Sequence, residues 1–320
     1  MKLYPLHFVP KLSPKIWGGR LLEKFGKQLP PGVAIGESWD LYDRPEASAR
    51  VASGPLQGQT LQQVMKEWGP ALLGTREFEK GHEQFPLMVK WIDAHEALSV
   101  QVHPDDDQAL RMVGPHETGK TEMWVVLEAQ IGAKVVAGLK DGCSRADFAK
   151  ALQAGNLEPV LKEFEVQPGD SIYIPAGRVH AIGKGCLIAE IQQNSDTTWR
   201  VYDYQRLENG RPRELHVEQA LECIRFDADF SRLPALQPSS APVVSDYFKV
   251  ERLELKGAMA LKNPDACFQI LLCVQGEAVL VTPSGRDILK PGDTVLIPAV
   301  LDASLEAGST ASASLLWVRP

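Results

Sequence analysis

Cysteine is scarce and unpaired in this sequence: five residues, Cys143, Cys186, Cys223, Cys267 and Cys273, are scattered along 320 positions with no CxxC pair. That pattern argues against a disulfide scaffold, a zinc knuckle or a dithiol redox motif, and the thiols read as reduced and mostly in the core. Long apolar runs are also missing. No stretch approaches 18 apolar residues, and the first twenty residues hold no uninterrupted apolar segment, so a cytoplasmic, soluble protein with no membrane partner is expected. Positive charge is in deficit, with 34 Lys and Arg against 41 Asp and Glu, a net charge of -7 and a pI near 5.6. No generally basic face remains to hold nucleic acid, and an anionic small molecule would need a locally basic pocket.

Helical periodicity is confined to a few places. Leu61–Trp68 follows Thr60 as a cap, Ser144–Leu152 carries its own cap, and Val217–Ile224 forms a third segment. The pattern over Leu56–Lys80 is broken at Gly69-Pro70. What fills most of the chain is short β-branched or apolar runs punctuated by Gly, Pro, Asn and Asp, among them LMVKWIDA, EMWVVLEA, SIYIPA, CLIAEIQQ and DTVLIPA. Such runs indicate a mainly β, antiparallel sandwich or barrel with a few short helices inserted, not alternating βαβ units.

An internal echo divides the chain. Pro168-Gly-Asp-Ser-Ile-Tyr-Ile-Pro-Ala176 recurs as Pro291-Gly-Asp-Thr-Val-Leu-Ile-Pro-Ala299, each copy reading as a turn, a strand and an exit. Beyond the echo the first copy reaches His180 and the second Ala303, so only the first unit is chemically armed. The Pro- and Ser-rich segment Leu233–Val244 suits a surface connection better than a strand. The expected division is 1–232, a linker at 233–244, and 245–320.

Within LSVQVHP, Ser99, Gln101 and His103 alternate, so a strand places them on one face with Leu98, Val100 and Val102 on the other. Pro104 and Asp105–Asp107 then read as the start of a short helix ending at Gly114-Pro115. Alone this is equally well a solvated strand face. Lys120 and Glu122 alternate in the same way in an otherwise apolar run, and a buried glutamate demands a partner or a metal. His180 follows a Pro-Ala-Gly corner. Gln101, His103, Glu122 and His180 thus form a candidate divalent-metal site whose N and O donors favour zinc or another first-row ion. Lys90, Lys120, Arg200 and Arg206 are ordinary surface charges one by one; gathered at one barrel mouth they would suit a sugar phosphate.

At these residues the chain resembles the type I mannose-6-phosphate isomerases, zinc-dependent cupins, in their short bacterial form. The likeness runs through PKIWGGRLLEKFG, GESWDL, QVHPDD, GKTEMW, PAGRVHA, EIQQNSDTTWRVYDYQR and RELHVEQAL. It implies two cupin-like antiparallel β-barrel or jelly-roll units, the first catalytic and the second metal-free. It also implies one Zn2+ per chain on Gln101, His103, Glu122 and His180, with Arg200 as the active-site arginine and Ser99, Lys90 and Lys120 lining the substrate pocket. Longer family members have a lysine where this chain has Arg206, which can bind phosphate but cannot serve as a base. Glu190, ten residues before Arg200, is a base candidate by its chemistry. The implied activity interconverts mannose 6-phosphate and fructose 6-phosphate through an enediol-like intermediate, in a monomer or weak homo-oligomer. An iron-dependent cupin oxygenase and a sugar-binding cupin with a structural metal are the alternatives.

Overall fold

The computed structural model describes residues 2–226, 236–237, 242–310 and 312–320. Its first unit is built on a seven-stranded antiparallel sheet in the order Leu236–Gln237, Ser171–Ile174, Glu122–Ala129, Cys186–Gln193, Leu87–Ala94, Glu37–Leu41 and Lys11–Ser13. A five-stranded antiparallel sheet packs against it, in the order Leu161–Glu165, Lys134–Leu139, His180–Ile182, Val100–Val102 and Trp199–Tyr202. Ile92, Trp124 and Ile188 from the first sheet meet Val135, Ala137 and Ile182 from the second in one apolar cluster. This is the sandwich that the alternating strands called for.

The two central strands, Leu87–Ala94 and Cys186–Gln193, are buried at every residue. The alternation explains why. Ile92, Ala94 and Ile188 face the inter-sheet core, while Val89, Trp91, Leu187, Ala189 and Ile191 face a second core shared with Phe248, Phe268, Ile270 and Leu272 of the C-terminal unit. Strands covered on both faces read as continuous hydrophobic runs. A buried polar network stitches the same junction. Asp40 accepts from Lys27, Ser38 and Thr294, and Thr294 accepts from the Trp91 indole.

The C-terminal unit repeats the plan with a seven-stranded and a four-stranded sheet around Leu271, Leu280, Val295, Leu305 and Leu315. Leu6–Val9, near the start of the chain, pairs with Thr294–Ile297 and so completes this unit's sheet. Mainly β architecture in two sandwich-like units is therefore as expected, but the chain exchanges a strand across the expected division. Much of 233–244 lies outside the described residues. Within it, Leu236–Gln237 pairs with Ser171–Ile174 and Val243–Val244 with Lys249–Leu255, which corrects the expectation of a wholly strand-free connection. Edge strands tolerate such composition because only one side of the ladder must be paired.

The repeated turns are built alike. Gly169 and Gly292 have φ of 98° and 96°, where a side chain would be strained. Asp170 and Asp293 each accept a backbone N–H three residues back, at 2.8 and 2.7 Å. The helices fall near their expected starts: Leu61–Leu73, Asp106–Met112 and Arg145–Gln153 open on capping boxes of Thr60 with Gln63, Asp105 with Gln108, and Ser144 with Asp147. The third expected helix is Val217–Cys223. The first helix continues past Pro70 through a kink at Gly69, where φ is 12° and ψ is -96°.

Candidate active site

Strand register assembles the site. On the five-stranded sheet His180 pairs with Gln101 and Gln101 with Arg200. On the facing sheet Lys90 pairs with Glu190, Glu190 with Trp124, and Glu122 with Gln192. Directly opposed residues stand about 5 Å apart at Cβ, so each row forms a continuous polar strip. Val100 and Val102 point away into the cluster around Phe148, as their alternation requires. Leu98 does not join them. It packs with Trp17 and Ile92 between the sheets and lines the site, because the strand begins only at Val100.

His103, Glu122 and His180 are fully buried, and their ligand atoms lie within 4.8 Å of one another. Each histidine is oriented by a backbone carbonyl: Nδ1 of His103 donates to Thr197 at 2.9 Å and Nδ1 of His180 to Arg178 at 2.8 Å. A carbonyl only accepts, so both Nε2 atoms carry lone pairs when the rings are neutral. Nε2 of His103 stands 3.2 Å from Oε2 of Glu122, and Nε2 of His180 is 3.5 Å from Oε1. Proximity makes the first contact resemble an ion pair, yet neither of its atoms has a hydrogen-bond partner. Burial first, and then Lys120, lowers the His103 pKa to about 3, so at neutral pH no proton lies between them. Burial opposes ionisation of Glu122, but the Lys120 ammonium, 3.1 Å away, is the foremost influence opposing it, and the carboxyl is held well below its usual range. Inward lone pairs around a carboxylate fit a divalent cation, and the carbonyl-held rings are the support metal-binding histidines need. The Gln101 amide nitrogen lies 3.3 Å from Nε2 of His180, and a half-turn of the amide offers its oxygen instead.

Beside this cluster lies a cavity of about 280 Å³ lined by Lys90, Ser99, Gln101, Lys120, Glu190 and Arg200, among others. Glu190 is buried and accepts from the Trp124 indole at 3.0 Å, the same N–H that reaches Glu122. Burial, and then the Glu122 charge, raises its pKa to about 7. Lys90 lies over the Trp39 ring and 3.2 Å from Asp196. Burial penalises its charge, but Asp196, Glu37 and Glu190 more than compensate and raise its pKa. Nε of Arg200 donates to Ser99 at 3.2 Å and Nη1 to the Glu214 carbonyl at 2.8 Å.

Of the residues expected to meet substrate, Arg206 alone does not line the cavity. Its guanidinium is held by the Asp203 carboxylate and the Ala97 carbonyl. Arg213 lines the cavity instead, and the sequence reading misses it. The signal is present: Asn209-Gly210 is a strong hairpin turn, and its register of Glu208 with Arg211 and Leu207 with Pro212 brings the chain back beside Arg206.

Comparison with known proteins identifies the family. Residues 6–138 match the family model for the phosphomannose isomerase type I catalytic domain, and 239–308 match the mannose-6-phosphate isomerase cupin domain. The mannose-6-phosphate isomerase ManA of Bacillus subtilis is 34% identical over 93% of this chain and 94% of its own length. The mannose-6-phosphate isomerase of Streptococcus mutans is 33% identical over 92% of each. A crystal structure of the mannose 6-phosphate isomerase from Bacillus subtilis superposes with a TM-score of 0.87 at 30% identity, covering 99% of this chain and all of that one. By fold, site and these near full-length matches, the chain belongs to the type I mannose-6-phosphate isomerase family and is an isomerase.

Proposed function

We propose that the chain interconverts mannose 6-phosphate and fructose 6-phosphate, with one zinc per chain held by Gln101, His103, Glu122 and His180. The observation that carries this reading is the buried, unprotonated contact between His103 and Glu122 beside a cavity lined with cations and one carboxyl poised near neutrality. When bound there, a divalent ion supplies Lewis-acid polarisation of the sugar's carbonyl and hydroxyl oxygens.

Glu190 takes the proton from C2 of the aldose and returns it to C1, while the O2 hydroxyl proton passes to O1, so that the carbonyl moves from C1 to C2 through an enediol-like intermediate. Its raised pKa suits a group that must both accept and give a proton. Arg200 orients the sugar as a fixed cation without exchanging a proton. Ser99 steadies Arg200, and Lys120 keeps Glu122 ionised. The charge of Lys90 is already matched by carboxylates, so its part is to hold Asp196 at the pocket wall and to offset the charge of Glu190. The division into a catalytic unit, a connection at 233–244 and a metal-free C-terminal unit fits this assignment, because Ala303 replaces the histidine in the second copy.

The test is turnover of mannose 6-phosphate before and after chelation. Loss on chelation, with recovery at one equivalent of zinc, is expected. A fully active metal-free preparation overturns the proposal, and oxygen consumption would mark an oxygenase. His180→Ala that keeps the fold and sugar binding but loses turnover separates a catalytic metal from a structural one.

A further inference from the structure

Arg200 and Arg213 line the cavity, and Arg213 is tied to Asp203 and, through that carboxylate, to Arg206, neither of which lines it. Arg213 donates from Nε at 2.7 Å and Nη2 at 2.5 Å to the two oxygens of Asp203, and Arg206 grips the same carboxylate. One edge of the Arg213 fork is thus fixed. Among the described residues, its Nη1 has no acceptor, and neither does Nη2 of Arg200. Arg200 also has no carboxylate within ion-pair distance there, its bonds going to a hydroxyl and a carbonyl. Three guanidinium groups gathered around one carboxylate leave a local excess of positive charge, which suits a phosphate monoester.

The backbone is bent to make this group. Tyr204 and Gln205 both have positive φ, 54° and 55°, an arrangement that is costly for a non-glycine residue and persists only where the surroundings enforce it. Arg206 supplies the enforcement. Its guanidinium closes the turn onto the carbonyl and carboxylate of Asp203, anchors to the Ala97 carbonyl, and lies 5.3 Å from the Tyr204 ring centre. The hairpin that follows returns the chain through Asn209-Gly210, φ 51° and 78°, so that Arg213 arrives on the other side of the same carboxylate.

We propose that Arg213, together with Arg200, grips the phosphate of the substrate, and that Asp203 and Arg206 are positioning residues that hold Arg213 in place. This rests on the reading of the site as one for a sugar phosphate. It places the phosphate on the side of Gln101 remote from His180, because Gln101 pairs with His180 on one flank and Arg200 on the other. The reacting end of the sugar then faces Glu190 and the metal cluster.

The experiment compares the zinc-loaded wild type with Arg213→Gln, Arg213→Lys and Asp203→Asn, measuring KM and kcat for mannose 6-phosphate and competitive inhibition by inorganic phosphate. A charge-assisted hydrogen bond of ordinary strength predicts a rise in KM of about tenfold or more for Arg213→Gln, with a parallel weakening of phosphate inhibition and a much smaller change in kcat. Asp203→Asn should raise KM in the same way while zinc content stays at one per chain. Should Arg213→Gln not fold, Arg213→Lys keeps the charge but loses the fork, and a raised KM in that variant supports the assignment equally. Unchanged KM and phosphate inhibition in folded Arg213 variants overturn the assignment, as does a loss confined to kcat. If the wild type fails to turn over mannose 6-phosphate, the functional reading fails on its own. Phosphate binding that depends on Arg213, followed by calorimetry, would still support the anion subsite, and binding independent of Arg213 would overturn it.

Discussion

Nε2 of His103 and Oε2 of Glu122 face each other across 3.2 Å inside the protein, each offering a lone pair and neither holding a proton. Lys120, 3.1 Å from the same Oε2, answers the carboxylate but not the His103 lone pair, so the contact favours a cation between the two. Metal binding should therefore stabilise the fold as well as arm it. With zinc in hundredfold excess over its dissociation constant the gain is about 2.7 kcal/mol. Thermal unfolding with and without chelator checks this, and an unmoved midpoint would contradict it.

Glu190→Gln should lower kcat by roughly 10²–10⁴, the usual worth of general acid–base catalysis, with zinc content and substrate affinity little changed. In the metal-free protein the Glu190 carboxyl should titrate near 7, since burial and Glu122 disfavour its anion. A bound cation favours that anion, so the acid limb of kcat/KM should fall at or below this pH. The rate is lost as the pH drops through the limb, because a protonated Glu190 cannot accept from C2. A pH–rate profile without that limb in the wild type would exclude Glu190 as the base.

Asp203 links acid stability to substrate recognition. Burial raises its pKa, but Arg213 and Arg206 outweigh burial and leave it below the ordinary aspartate value. A depressed folded pKa contributes stability above the unfolded value, and this is lost as pH falls through the folded one. Asp203→Asn should thus be less stable than the wild type at pH 7, by about 1–3 kcal/mol. The difference should shrink below about pH 4, where the unfolded aspartate begins to protonate. Urea unfolding at pH 7 and pH 3 measures both. A gap that widens in acid would refute the sign.

Asp40 joins the two units through Lys27 and Thr294, with Lys27 also donating to the Gly292 carbonyl at 2.7 Å. Asp40→Ala strands a buried ammonium. Breaking such a pair from one side costs about 3–5 kcal/mol. The expected result is a large drop in the urea midpoint, and a change below about 1 kcal/mol would show the network to be dispensable.

The gathering of His103, Glu122 and His180 is partly legible in the sequence because alternation is a local property. Reading LSVQVHP and GKTEMW as strands puts Gln101 with His103 and Lys120 with Glu122 on shared faces; the strands prove shorter, Val100–Val102 and Glu122–Ala129, with His103 and Lys120 just beyond their ends, and the register of His180 with Gln101 completes the group. Capping boxes make the helices legible for the same reason. The partners of Arg206 are not, because a guanidinium in an anionic-substrate enzyme reads as substrate-facing until its hydrogen bonds are known. Asp203 supplies those bonds, and only the fold brings Ala97 beside Arg206. Arg213 is half legible: the Asn209-Gly210 turn that brings it back is visible, but it sits in the charged segment RPREL, and its approach to Asp203 also depends on two consecutive left-handed residues, Tyr204 and Gln205, that no propensity favours. The return of Leu6–Val9 to the C-terminal sheet is likewise invisible, because long-range strand pairing leaves little local trace in four residues.

A crystallographic anomalous-scattering map at the zinc edge, on protein loaded with one equivalent of zinc and assayed for turnover from the same batch, tests the metal assignment most directly. The expected result is one peak per chain within bonding distance of His103, Glu122 and His180, with the Gln101 oxygen turned toward it, in an active enzyme. Full activity with no peak among these residues would contradict it.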